Sequence, residues 1–296
     1  MTITGGPLDT GDLSGPAGRA GHRARRSRRR TPPGEAVRSS LIALFSTVVV
    51  LGAIAWAVTS SPNWPAVQDA FFNGRIFTYS WPLLVEAFGT NVALFVIAEL
   101  LILPLALLLA ILRGLPGPVF FPLRLLATFY VDFFRAVPGL LIIAILGFGI
   151  PALDLPGVPN DEFFWAVVAL TLVYSAYVSE VYRAGIESVH WSQEAAARSL
   201  GLSRLQAYRF VVIPQAVRRV IPPLLNDFIG LQKDTVLVST LGVVEIFREA
   251  SIIKAARFNF TPYLAVALIF IIVTIPLARF TDWLVARDAA GQASRR

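Results

Sequence analysis

The sequence predicts an all-α membrane protein with six transmembrane helices, and three observations carry that prediction. First, 55% of the 296 residues are hydrophobic, only 15% are charged, and the mean hydropathy is +0.65. That is more apolar surface than a soluble core can hide. Second, six long apolar intervals run through the chain. Third, the formal charge of +7 comes almost wholly from arginine and is unevenly spread.

Residues 1–37 are rich in Gly, Pro, Ser and Arg and lack apolar periodicity, so they read as a disordered basic tail. The basic run His22–Arg30 precedes the first apolar interval, where it would hold the N-terminus in the cytoplasm and touch anionic lipid. The first interval, Ser40 to Val58, carries no charge and is long enough to cross a core of about 30 Å. Ser60 to Gly89 reads as a mixed external loop, with Trp64 and Trp81 suited to the interface.

The second span, Asn91 to Leu112, is interrupted only by Glu99 and Pro104. Glu99 is lone and deep, either lining a cavity or bonded to nearby backbone. The third runs from about Pro122 to Ile150 and turns purely apolar after Ala136; Asp132 and Arg135 sit three apart at its start. The fourth is Phe163 to Ile186, with Glu180 and Arg183 at a spacing that lets them pair near its exit.

The fifth span, about Val220 to Ile246, is the least apolar, and Asn226, Gln232, Lys233, Asp234 and Thr235 give it a polar character. Ionisable groups inside a bilayer face the bundle interior or a wet cavity. These residues therefore line a solute path or form a structural polar knot. The sixth span, Tyr263 to Leu284, precedes a short basic tail at 289–296, and the permease domain spans 38–288. Placing the N-terminus inside leaves few basic residues outside, so both termini and the loop at 190–214 face the cytoplasm.

That loop contains the longest polar interval between the later spans. Ser192 caps a first helix, with Glu194 in its first turn where the helix dipole favours an anion. Ala195, Ala196 and Ala197 offer a nearly flat face for another protein. Gly201 suits a helix C-terminus, since only glycine enters the left-handed region without steric cost. Leu202 follows, Ser203 and Gln206 form a capping-box pattern, and Pro214 closes the second helix. A DNA-binding helix-turn-helix has similar local signals, but its second helix would run straight into Phe210–Ile213 with no third supporting helix.

No cysteine is present, and the two histidines, His22 and His190, lie far apart, which argues against disulfides and metal sites. The two lysines, Lys233 and Lys254, do not follow glycine, so the chain has no phosphate-binding loop of the GxxxxGK[ST] type. No catalytic pattern stands out. The chain is not expected to be an enzyme.

The segment Ser192–Pro214 resembles the EAA-type coupling loop of ABC-importer permeases of the polar amino acid transporter family. Pro214-Gln215-Ala216, Pro222-Pro223, Asn226 and Lys233-Asp234-Thr235 extend the match, as does Phe134-Arg135-Ala136-Val137-Pro138. Ala195 stands where that family's loop carries its glutamate, one place after Glu194. The resemblance implies a type I ABC-importer permease fold in the bacterial inner membrane and an amino acid as solute. It implies cytoplasmic ABC ATPase subunits as partners, docked on the loop and carrying the ATP and magnesium, so that this chain itself holds no cofactor. It also implies a second permease subunit, homo- or heterodimeric, an extracytoplasmic amino-acid-binding protein, the lipid bilayer, and no nucleic acid. An ATP-independent secondary transporter or channel is the alternative.

Overall fold

The structure, a computed structural model, describes residues 33–293, and side chains for 38–287. The basic tail expected at 1–37 and the C-terminal tail at 289–296 lie outside the residues whose side chains are described. Among the described residues every regular element is helical. The chain divides into two units, one ending at Trp64 and one beginning at Pro65. The first contains α1 (Pro33–Thr59), whose apolar side chains from Leu41 to Trp56 are exposed throughout. A helix apolar all round and uncovered by protein is what a lipid environment permits.

The second unit begins within α2 (Trp64–Phe71), after its first residue, and continues with α3 (Gly74–Gly114). The stretch expected as a loop between Ser60 and Gly89 is thus mostly helix. Asn73 starts α3 by accepting from the backbone N–H groups of Arg75 and Ile76, and apolar residues follow at helical spacing. Pro82 and Pro104 lie within α3, one more reason the sequence pattern under-reads its length. After α3 come α4 (Phe121–Ala136), α5 (Gly139–Ala144), a π-helical turn (Ile145–Gly149) and a 3-10 turn (Pro151–Leu153). The expected third span is bent by 104° between α4 and the helices that follow. The cause is Pro138, which pushes Val137 into extended backbone (φ −88°, ψ 132°) and ends α4 there.

The remaining elements are α6 (Glu162–Glu187), α7 (Trp191–Ser199), α8 (Arg204–Ala207), a π-helical turn (Tyr208–Val212), α9 (Ile213–Asp234), a 3-10 segment (Thr235–Leu241), α10 (Ile246–Arg257) and α11 (Thr261–Ala293). The expected fifth span is therefore two structures in series, not one helix. Gly242, at φ +99°, ends its 3-10 half in the left-handed region that glycine enters freely.

By length and composition, four segments suffice to cross a membrane: Arg38–Thr59, Trp64–Gly114, Glu162–Glu187 and Thr261–Arg287. The bent pair Phe121–Ala136 and Gly139–Leu153 makes a fifth if it is one span. The core of the second unit is built on α6. Leu94, Ala98, Ile102 and Ala106, four apart along one stripe of α3, pack with Ala166, Ala169, Leu170 and Val173 of α6 and with Leu231 and Val238. The small residues let the helix axes come close, as packing between membrane helices favours. At Gly185 this closeness is absolute: an added Cβ would fall on the Val220 side chain of α9. A second cluster joins Leu84 of α3 to Ile246, Ala250 and Ile253 of α10 and Ala265 and Ile269 of α11.

Candidate functional site

The helix-turn-helix at 190–214 is built as a rigid corner. Its first helix is capped two positions earlier than the sequence implies: the His190 ring nitrogen Nδ1 accepts from the Ser192 N–H at 3.3 Å and lies 2.7 Å from Ser192 Oγ. Ser192 is thus the first-turn partner of the cap. At the other end Gly201 takes φ +89°. Its N–H bonds to the Arg198 carbonyl at 3.0 Å and the Leu202 N–H to the Ala197 carbonyl at 3.3 Å. That pair of bonds is a Schellman motif, which satisfies carbonyls the helix end would leave orphaned. The capping box at Ser203 and Gln206 forms as expected, with Ser203 N–H to Gln206 Oε1 at 2.9 Å and Gln206 N–H to Ser203 Oγ at 3.3 Å.

Pro214 does not close the second helix. It sits inside a stretch that stays helical from Arg204 to Asp234, and the wider π-helical turn just before it accommodates its ring and its missing N–H. The alanine face also divides: Ala195 and Ala196 are exposed, while Ala197 is buried. Val189, Val212 and Ala216 form the small core beneath the corner. Its outer side presents Trp191, Leu200 (86% exposed), Leu205 and Phe210 to solvent. Ala195, Arg198, Leu202 and Gln206 flank an open hollow of about 590 Å³ there. Glu194 reaches across the turn to Arg204, with 3.8 Å between Oε1 and Nε.

Glu180 is the hub of a guanidinium cluster. It accepts from Arg183 at 2.7 Å, as its spacing predicts, but also from Arg113 at the end of α3, and Arg135 of α4 stands 3.5 Å away. Arg183 also bonds Glu187 at 2.8 Å. Arg135 lies over the Tyr177 ring at 6.0 Å, and no ion pair joins it to Asp132. Asp132 and Arg135 share the i, i+3 spacing of Glu180 and Arg183, but Arg135 is drawn to Glu180 instead. Three helices are thereby tied at one level.

The polar residues of the fifth span scatter. Asn226 and Lys233 are exposed on the chain, whereas Gln232 and Thr235 are buried. Gln232 accepts from Thr274 of α11 at 3.2 Å. Asp234 accepts from the Tyr174 hydroxyl of α6 at 2.7 Å. Glu99 is not alone: Asp227 of α9 is its electrostatic neighbour, and one Asp227 oxygen is buried with no hydrogen-bond partner in the protein.

Sequence reasoning missed the fully buried carboxylate of Glu245, which is 0% exposed. Its carboxylate caps α10 by accepting from the N–H groups of Phe247 (3.0 Å) and Arg248 (2.8 Å). Asn91 of α3 donates to it at 3.0 Å and to Thr235 Oγ1 at 3.0 Å, and accepts from the Ile246 N–H at 3.0 Å. The signal was there: a lone amide at the start of an apolar span, and an acidic residue just before a helix. Among the described residues no group of three or more His, Cys, Asp or Glu stands together in a way that would hold a metal ion.

Comparison with known proteins gives this arrangement a context. Residues 106–287 match the family model described as "Binding-protein-dependent transport system inner membrane component". The probable amino-acid ABC transporter permease protein PatM of Vibrio harveyi is 37% identical over 207 residues, 70% of this chain and 92% of that protein. The probable amino-acid permease protein YxeN of Bacillus subtilis is 34% identical over 206 residues, covering 67% of this chain and 91% of its own length. A solved structure titled "Crystal structure of an amino acid ABC transporter with histidines" superposes with a TM-score of 0.64 at 30% identity, over 70% of this chain and 94% of that one. With a matching model over more than half its length and relatives covered almost end to end, this chain belongs to the family of binding-protein-dependent transport system inner membrane components.

Proposed function

We propose that the chain is the transmembrane permease subunit of an ATP-driven amino acid importer in the bacterial inner membrane. It forms the solute pathway and takes its motion from separate ATPase subunits through the corner at 190–214. The observation that carries this reading is that corner. A Schellman turn and a capping box fix its backbone, yet Trp191, Leu200, Leu205 and Phe210 remain uncovered. Apolar tips on a preorganised turn are what a groove on another protein grips. The names of PatM and YxeN supply the amino acid as solute class.

In this reading six crossings are made by α1, α3, the bent pair α4–α5, α6, α9 with its 3-10 extension, and α11, and both termini face the cytoplasm. The permease domain is 38–288. A second permease copy or paralogue completes the pathway, a binding protein delivers solute from outside, and ATP and magnesium stay on the ATPase. This reading includes no nucleic acid, and the four residues of α8 running on into α9 support it against a DNA-binding helix-turn-helix. Glu99, Asn226, Lys233 and Asp234 are the pathway candidates, while Gln232 and Thr235 hold helices together.

The test is uptake of labelled amino acids by proteoliposomes containing the chain and the proteins that co-purify with it. Uptake is expected only with ATP inside the accessible compartment. Uptake driven by an ion gradient with no nucleotide would overturn the proposal in favour of a secondary transporter.

A further inference from the structure

Where α3 ends, α4 begins and α6 exits, the chain builds a basic hollow that neither the corner nor the polar face of α9 uses. It encloses about 390 Å³ between Arg113, Arg124, Arg183, Phe121 and Thr128. Arg135 adds a fourth guanidinium through Glu180. Against these four positive charges stand two carboxylates, Glu180 and Glu187, so the site keeps an excess of two.

The donors are not all used. Arg124 gives Nη1 to the carbonyls of Leu115 and Gly117, at 2.7 Å each, which fixes the turn between α3 and α4. Its Nε and Nη2, and those of Arg113, have no protein acceptor among the described residues. Guanidinium groups present five donors in a planar fork that matches phosphate oxygens.

Beside the hollow the wall is apolar. Phe121, Leu125, Leu126 and Phe129 of α4 are exposed, and the apolar run of α3 stops at Leu112, directly before Arg113. The charged groups therefore sit where a hydrocarbon layer meets its polar boundary, with room for acyl chains alongside. A basic pocket between spans at that level has the chemistry of an anionic lipid headgroup site. We infer that the hollow lined by Arg113, Arg124 and Arg183 binds the phosphate of an anionic phospholipid whose acyl chains lie along α4. The free phosphate ion shares the headgroup's charge but has nothing to place on the exposed face of α4.

The proposal goes beyond the transport reading, and its test uses no transport step. The full chain, purified with its partners in a neutral detergent, is titrated with phosphatidylglycerol, phosphatidylcholine or inorganic phosphate while the thermal midpoint is followed. Phosphatidylglycerol is expected to raise the midpoint saturably, and the other two are not. Glu187→Gln, which removes an exposed negative charge, should tighten the apparent phosphatidylglycerol affinity, and Arg124→Gln should weaken it, each by about fivefold. A tighter affinity cannot come from misfolding, so the first variant protects the test from the second's role in the turn. An equal response to phosphatidylcholine, an equal response to inorganic phosphate, or unchanged affinity in Glu187→Gln would overturn the proposal.

Discussion

The corner at 190–214 and the knot at Asn91, Thr235 and Glu245 solve opposite problems. The corner closes its hydrogen bonds among residues at most five apart and leaves its apolar side chains open. The knot joins positions 91, 235 and 245 and leaves Glu245 and Thr235 with no exposed surface. A surface built from local bonds can meet a partner without depending on the rest of the molecule. A buried polar junction does the reverse: it makes distant helices depend on one another, because every unpaired group inside costs free energy.

Five variants at four positions sharpen this contrast. Glu245→Ala strands two α10 N–H groups and removes one partner of Asn91, and should lower stability by about 3 kcal/mol. A denaturant titration in detergent reads this, and a wild-type midpoint would mean the knot holds nothing. Glu180→Gln keeps hydrogen-bonding capacity but leaves Arg113 and Arg135 facing no carboxylate, while Arg183 keeps Glu187. Partial exposure discounts the loss to about 2 kcal/mol, seen in the same titration.

At Gly201 an added Cβ meets no atom within 4 Å, so the penalty of Gly201→Val comes mainly from φ +89° and should be about 1–2 kcal/mol, confined to the turn. Its midpoint should stay near wild type while ATP-driven uptake fails, and Gly201→Asn, better suited to that backbone, should retain uptake. Loss of uptake in both, or in neither, would break the link between turn geometry and coupling. Glu194→Ala opens an exposed 3.8 Å pair and should change stability by less than about 0.5 kcal/mol. A larger effect would show that the corner relies on charge rather than on its backbone.

The same contrast explains what the sequence could show. Gly201 and the Ser203–Gln206 box were legible because their chemistry is written within a few neighbouring residues. The cap was misplaced by two positions because a histidine nitrogen did what a serine hydroxyl usually does. Pro214 misled for a different reason: a π-helical turn just before it lets the chain stay helical past a proline. The Arg113 and Arg135 partners of Glu180 lie 67 and 45 positions away, and no local spacing points to them. The division of the fifth span at Thr235 followed from packing, since Thr235 is buried beside Asn91, a contact no periodicity can reveal.

The unbroken helical column from Arg204 to Asp234 has a mechanical consequence. It is pinched where Val220 lies against Gly185, and it carries Pro222 and Pro223 just beyond that point, where backbone bonds are missing. The corner sits roughly 25 Å from the pinch at 1.5 Å per residue. If the column turns as one body about Val220, its Lys233 end goes opposite to its Ser203 end, and the adjacent prolines set how much of that swing is lost to flexing.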